Sequence, residues 1–124
     1  MITNYDVKEF EMSIFTGVTV GIGSLVLLFS SGARVMLQCP FSCEINDQFN
    51  TGHGEEITTS HYLFPFLNHE VKFCVMLNDD IFSLCFGENK CIQIIPEGNG
   101  FESYVISTSY GEHPVIKNEI PRVI

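Results

Sequence analysis

Leu25-Val26-Leu27-Leu28-Phe29-Ser30-Ser31-Gly32-Ala33-Arg34-Val35-Met36-Leu37-Gln38-Cys39 is the stretch that decides the fold. Two apolar runs flank a Ser-Ser-Gly break, which reads as two strands joined by a short turn: a β-hairpin. Pro40 follows at once, and with no N–H to donate it is expected to end the ladder there.

Working outward, the same pattern returns downstream. Val71, Phe73, Val75 and Leu77 alternate with Lys72, Cys74 and Met76, and Asn78-Asp79-Asp80 makes a turn. Ile81 to Phe86 and Lys90 to Ile95 then form a second hairpin around Gly87-Glu88-Asn89, closed by Pro96. Setting Phe29 on Phe86 brings Arg34 onto Lys90 and, allowing one residue in the turn, Pro40 onto Pro96. This reads as an internal duplication of a strand-plus-hairpin unit.

Upstream, Val18, Val20 and Ile22 alternate with Thr19, Gly21 and Gly23. Phe10, Met12 and Ile14 alternate with Glu9, Glu11 and Ser13, predicting another strand over Glu9 to Ile14. Between the units, Asn46 to Ser60 is polar and glycine-containing and reads as a long loop. Thr58 to Leu67 allows one short helix, limited by Pro65. The last strand is expected over Glu102 to Tyr110, ending at Gly111, and the tail from Lys117 to Ile124 has no pattern. No helix of amphipathic length appears. The expected fold is therefore mainly β, an antiparallel two-layer sandwich or a partly open barrel built from two similar units, with at most one short helix.

Composition bounds the rest. The 124 residues suit a single domain, 1–124, and 45% hydrophobic residues with 11 Phe suffice for a packed core. Fifteen acidic against six basic residues give a net charge of −9, which repels phosphate backbones and argues against nucleic acid as a partner. The same charge suits a partner with a basic surface, although acidity also serves solubility alone. Cys39, Cys43, Cys74, Cys85 and Cys91 lie in apolar surroundings with no C-x-x-C spacing, the usage expected of reduced, buried thiols. With no leader-like start and no apolar run long enough for a bilayer, a soluble cytoplasmic protein without a membrane partner is expected.

Catalytic motifs are missing. Neither a nucleophile elbow nor a phosphate loop is present, and His53, His61, His69 and His113 show no zinc spacing. His53 and His61 flank Glu55-Glu56 and offer at most a loose metal site; a solvated loop is the plainer reading. Cys39 and Cys43 lack further ligands nearby, so core thiols are expected. The expectation is no enzyme, no catalytic residue, no metal and no cofactor. Glu55, Glu56, Asp79 and Asp80 are the candidates for electrostatic contact with a partner, against the plain alternative of solvated turn residues. A rival reading is a small-ligand-binding barrel whose Phe82, Phe86 and Phe101 line a cavity. An enzyme using loop carboxylates or His61 is a third.

From Leu63 to Ile106 the chain resembles a family of small bacterial proteins through Pro65, Phe66, Val71, Ile81, Phe86, Ile92, Ile94 and Pro96. Phe101-Glu102-Ser103-Tyr104-Val105-Ile106 stands where that family has Tyr-Glu-Ser-Trp, with Tyr104 replacing the Trp, and Gly87-Glu88-Asn89 replaces the usual Asp-Gly turn. Similar proteins include immunity proteins of contact-dependent growth inhibition and related polymorphic toxin systems. The resemblance implies an antitoxin that binds a cognate toxin domain, often a nuclease, and occludes its active site or substrate surface. It carries no binding residue over, and Glu102 reads equally as a structural acceptor at a strand start.

Overall fold

In the computed structural model, which describes residues 2–118, ten strands form two five-stranded antiparallel sheets. The elements are η1 (Lys8–Phe10), β1 (Phe15–Gly21), β2 (Ser24–Phe29), β3 (Arg34–Leu37), β4 (Pro40–Ile45), β5 (Gln48–His53), η2 (Ile57–Phe66), β6 (Phe73–Met76), η3 (Asn78–Asp80), β7 (Phe82–Gly87), β8 (Lys90–Ile94), β9 (Glu102–Thr108) and β10 (Gly111–Ile116), where η marks a 3-10 helix. The first sheet runs β1-β2-β3-β9-β10 and the second β5-β4-β8-β7-β6. Neither closes on itself, so the fold is a sandwich and not a barrel.

The two hairpin units are topologically alike. β1-β2-β3 and β6-β7-β8 are three-stranded meanders, one in each sheet. Each is followed by a further hairpin that crosses over and pairs with the third strand of the other meander: β4-β5 joins β8, and β9-β10 joins β3. This exchange locks the layers together, because neither sheet can be assembled without chain from both halves. The inward residues alternate as the pattern requires: Leu25, Leu27, Val35, Leu37, Tyr104 and Ile106 from the first sheet meet Phe41, Phe82, Leu84, Ile92 and Ile94 from the second, all fully buried. Phe29 and Phe86, equivalent positions in the two units, both pack on Phe15, at ring distances of 5.3 and 6.2 Å. Phe10 stands edge-on to Phe29 and Phe82. The sides of the sandwich are covered by η2, which touches β1 and β5, and by the N-terminal segment, where Cys74 donates to the Val7 carbonyl and Glu9 accepts from Ser109.

Several expectations are corrected. Glu9 to Ile14 is not a strand: η1 and a turn with Met12 at φ 64° occupy it, and Met12 is exposed. Its alternation was mimicked by Phe10 plugging the core from a helical turn. Pro40 does not end the ladder but opens β4, since the chain changes sheet at Gln38-Cys39. The polar stretch from Asn46 to Ser60 is largely not a loop; Gln48–His53 is an edge strand, exposed along most of its length and so polar in composition. Gly111 begins a tenth strand instead of ending the ninth. In β6 the inward residues are Cys74 and Met76, while Phe73 points outward. Phe82 and Phe86 fill the core and Phe101 lies on the surface, so these three do not line one cavity. The unpatterned tail beyond residue 118 lies outside the described residues.

Cysteine pairing is also corrected. Cys85 and Cys91 face each other across β7 and β8 with Cα atoms 4.1 Å apart and form a disulfide, whereas Cys39, Cys43 and Cys74 are free and buried. A separation of six residues carries no signal until the hairpin register makes the two directly opposite.

Candidate functional site at the acidic end of the sandwich

Strand register gathers distant carboxylates at one end of the molecule. Pro40 pairs with His53, Phe41 with Ile94 and Ile94 with Phe82, so β5 ends, β4 begins, β8 ends and β7 begins side by side. Residues 54–56, 95–101 and η3 therefore leave the second sheet at the same end. The first sheet arrives there through Leu37, paired with Tyr104, and through the Ile22-Gly23 turn between Gly21 and Ser24. Two crossover ties fix the arrangement: the Gln38 N–H donates to the Ser103 carbonyl at 2.8 Å, and the Tyr104 hydroxyl to the Asp80 carbonyl at 2.7 Å.

Glu55, Glu56, Asp79, Asp80, Glu97 and Glu102 all lie at this end. Among the described residues, Lys117 is the cation whose chain reaches it, its carbonyl accepting from the Gly100 N–H. Around the carboxylates stand exposed apolar side chains. Ile22 at the hairpin tip is 104% exposed and Phe101 is 74% exposed, with Ile57, Leu77 and Ile116 also in solvent. Gln38, Glu55, Asn99, Phe101 and Glu102 line a groove of about 420 Å³.

Of the four candidate carboxylates, Glu55 and Glu56 are neighbours, and the structure groups Glu55 with Glu97 and Glu102. Asp79 and Asp80 share the end but not the groove, since β4 and β8 lie between β5 and β7, a span of about 14 Å. Asp80 lines a different groove, of about 330 Å³, with Glu112 and His113. Asp79 and Asp80 hold φ of 62° and 58°, a left-handed conformation that Asp tolerates through its short polar side chain. Sequence reasoning did not single out Glu97 or Ile22. Glu97 acquires its place through the β8–β9 crossover, and Ile22 through the tight β1–β2 turn.

His53, Glu55 and Glu97 place one donor atom each within 4.8 Å of one another. The hydrogen bonds around the ring decide what this group can do. The Glu55 backbone N–H donates to His53 Nδ1 at 3.1 Å, which makes Nδ1 an acceptor and puts the neutral ring's proton on Nε2. Nε2–H then donates to Glu97 Oε1 at 3.0 Å. With both nitrogens committed, the ring has no lone pair for a metal or for a substrate proton unless one of these bonds breaks. His53 ties the residues after β5 to the β8–β9 crossover and orients Glu97. His61 is not part of this group: its Nδ1–H donates to the Thr58 carbonyl at 2.8 Å and its ring lies on Tyr62.

The free thiols are inert. Burial pushes Cys39, Cys43 and Cys74 up to about 12, and Glu97 adds to the effect at Cys39. Burial likewise raises the Tyr104 phenol, which acts as a hydrogen-bond donor. What this end offers chemically is a negative field, a groove and protruding apolar side chains. Comparison with known proteins finds no matching family model, no matching curated protein and no matching solved structure.

Proposed function

We propose that this protein is an inhibitor of the immunity type, a non-enzymatic binder that uses its acidic end to cover a basic surface on a toxin domain. One observation carries the reading: six carboxylates from separate chain segments lie at one end, with Glu55 beside Glu97 and sharing a groove with Glu102 and the exposed Phe101. Carboxylates steer a cationic partner and reject acidic ones, and exposed apolar side chains supply the contact that desolvates on docking. A nuclease fits as partner because its substrate cleft must be basic to hold phosphates. The likeness of pattern to immunity proteins supports the same reading. Such a role belongs in the cytoplasm, where the Cys85–Cys91 disulfide would be open to reduction.

The test is to read the genes beside this chain's own and to co-express the chain with a toxin domain encoded there. Protection of the cells and co-purification of a 1:1 complex are the expected outcome, and loss of both in the Glu55→Lys/Glu56→Lys/Glu97→Lys variant places the contact at this end. A chain that neither protects nor co-purifies with that toxin removes the proposal.

A further inference from the structure

We infer that β1 is a docking edge for a second copy of this chain, forming an antiparallel β1–β1 pair about a twofold axis. From Met12 to Ala33 no residue is Asp, Glu, Lys, Arg or His, in a chain of net charge −9. This uncharged segment folds into the β1–β2 hairpin at the border of the first sheet, where η2 touches β1 but no strand pairs with its outer side toward Gly21.

The backbone groups on that side can be assigned. Gly21 and Ser24 close a two-residue turn and so form a hydrogen-bonded pair; Val20–Leu25 is then non-bonded, Thr19–Val26 bonded and Val18–Leu27 non-bonded. The N–H and C=O of Val18 and Val20 therefore point away from β2. His69 and Asn68 take up the Phe15 N–H and C=O, and Ser30 takes those of Ile14, but among the described residues nothing hydrogen-bonds this side of β1 from Gly17 to Gly21.

The other three borders are guarded in ways β1 is not. β10 carries Glu112 and Pro114. The Met76 N–H of β6 is taken by the Asn4 side chain. β5 lies between Asp47 and Glu55, and its His53 N–H is taken by Thr59 of η2. β1 has no charge, no proline and exposed Val20 beside Ile22.

A second copy is the occupant this border fits. Any strand can pair antiparallel with itself, and here Val18 would exchange hydrogen bonds with Val20 of the other copy while Thr19 faces Thr19. Two chains of charge −9 repel over most of their surfaces, and the uncharged hairpin is where they can approach at least cost. The small interface implies a weak dimer.

Sedimentation equilibrium of the purified chain tests this directly. Reversible dimerisation is expected within the range from about 10 µM to about 1 mM, the affinity class of small interfaces. Thr19→Lys sets like charges opposite each other at the twofold and is expected to weaken the dimer at least about tenfold. Leu28→Lys, on the outer face of β2 and away from the border, should leave it unchanged. Thr19→Cys should give a disulfide-linked dimer on mild oxidation. A monomer throughout the range overturns the inference. So does a dimer indifferent to Thr19→Lys, or one lost equally in Leu28→Lys, which would indicate face-to-face stacking.

Discussion

The two ends of this sandwich differ in that both sheet crossovers lie at one of them, and their chemistry differs accordingly. At the end opposite the carboxylates, strands are joined by tight local turns: Ser30 to Gly32, Asn46-Asp47, Gly87 to Asn89 and Ser109-Tyr110. Asn46, Asp47 and Asn89 hold positive φ there, and the Asn46 N–H donates to the Asn89 carbonyl. Its cations are engaged, Lys72 with Glu70 at 3.0 Å and Lys90 with His69 at 3.0 Å and over the Phe66 ring. The acidic end combines the Ile22-Gly23 turn and η3 with longer connections: the β3–β4 and β8–β9 crossovers and the segment after β5, which bring Glu55 and Glu97 together from positions 42 apart in the chain (97 − 55). The short turns of the opposite end pair their own backbone groups, while the longer connections of the acidic end carry Glu55, Glu97 and Phe101 into solvent.

If the crossovers hold the acidic end rigid, substitution there should cost much more than in the opposite turns. The largest effect is expected for Gly54→Ala. A Cβ at Gly54 would collide with the backbone of Leu37 and lie 2.8 Å from the Gln38 nitrogen, atoms held by the Gln38 N–H bond to the Ser103 carbonyl and the Gly54 N–H bond to the Cys39 carbonyl. A loss of about 4 kcal/mol is expected in denaturant unfolding. Gly32→Ala, in the opposite turns, meets open space but sits at φ +92°, and should cost about 1 kcal/mol. Equal costs would break the comparison.

Alkaline titration probes the same crossover from inside. The Cys39 and Cys43 thiols are raised from 9.0 to about 12 in the folded state, so above pH 9 the unfolded chain releases protons that the folded chain retains. Stability is intact below pH 9 and falls as pH rises from 9 to 12, by at most about 4 kcal/mol per thiol. Cys39→Val should flatten this decline in urea unfolding measured across that window.

Tyr104→Phe is expected to cost about 1 kcal/mol, since it removes one buried donor while water can still reach the exposed Asp80. Amide exchange at residues 78–81 should quicken, with the opposite turns unaffected. The smallest stability change belongs to Glu55→Gln/Glu56→Gln/Asp79→Asn/Asp80→Asn, within about 0.5 kcal/mol of the parent, because these side chains are solvated. The same variant should slow association with the cognate toxin about tenfold at low salt, while Asp47→Asn/Glu88→Gln at the other end leaves it unchanged.

The sequence was readable where structure is local. Leu25 to Leu37 and Phe82 to Ile94 showed their strands because apolar residues alternate around turn residues, and both hairpins lie where the pattern puts them. It misled where tertiary context reassigned a pattern. Phe10 reads as strand but is held by η1 against Phe29 and Phe82. Gln48 to Gly52 reads as loop because an edge strand with little to bury needs no apolar face; Gly52 is there because a Cβ would strike the Phe41 ring. Of the site, the carboxylates were visible as residue types, but their grouping was not, because no periodicity relates His53 to Glu97.

By itself the sequence determined a mainly β chain with two similar units, an acidic surface and an uncharged hairpin, since alternation, turn chemistry and charge are properties of neighbouring residues. Only the tertiary structure decided that each unit gives its last hairpin to the other sheet, that Cys85 faces Cys91, and that the carboxylates share one end with Ile22 and Phe101. The reason is physical. Which strand borders which is set by burying both sheets' apolar faces at once, and that choice depends on the whole chain.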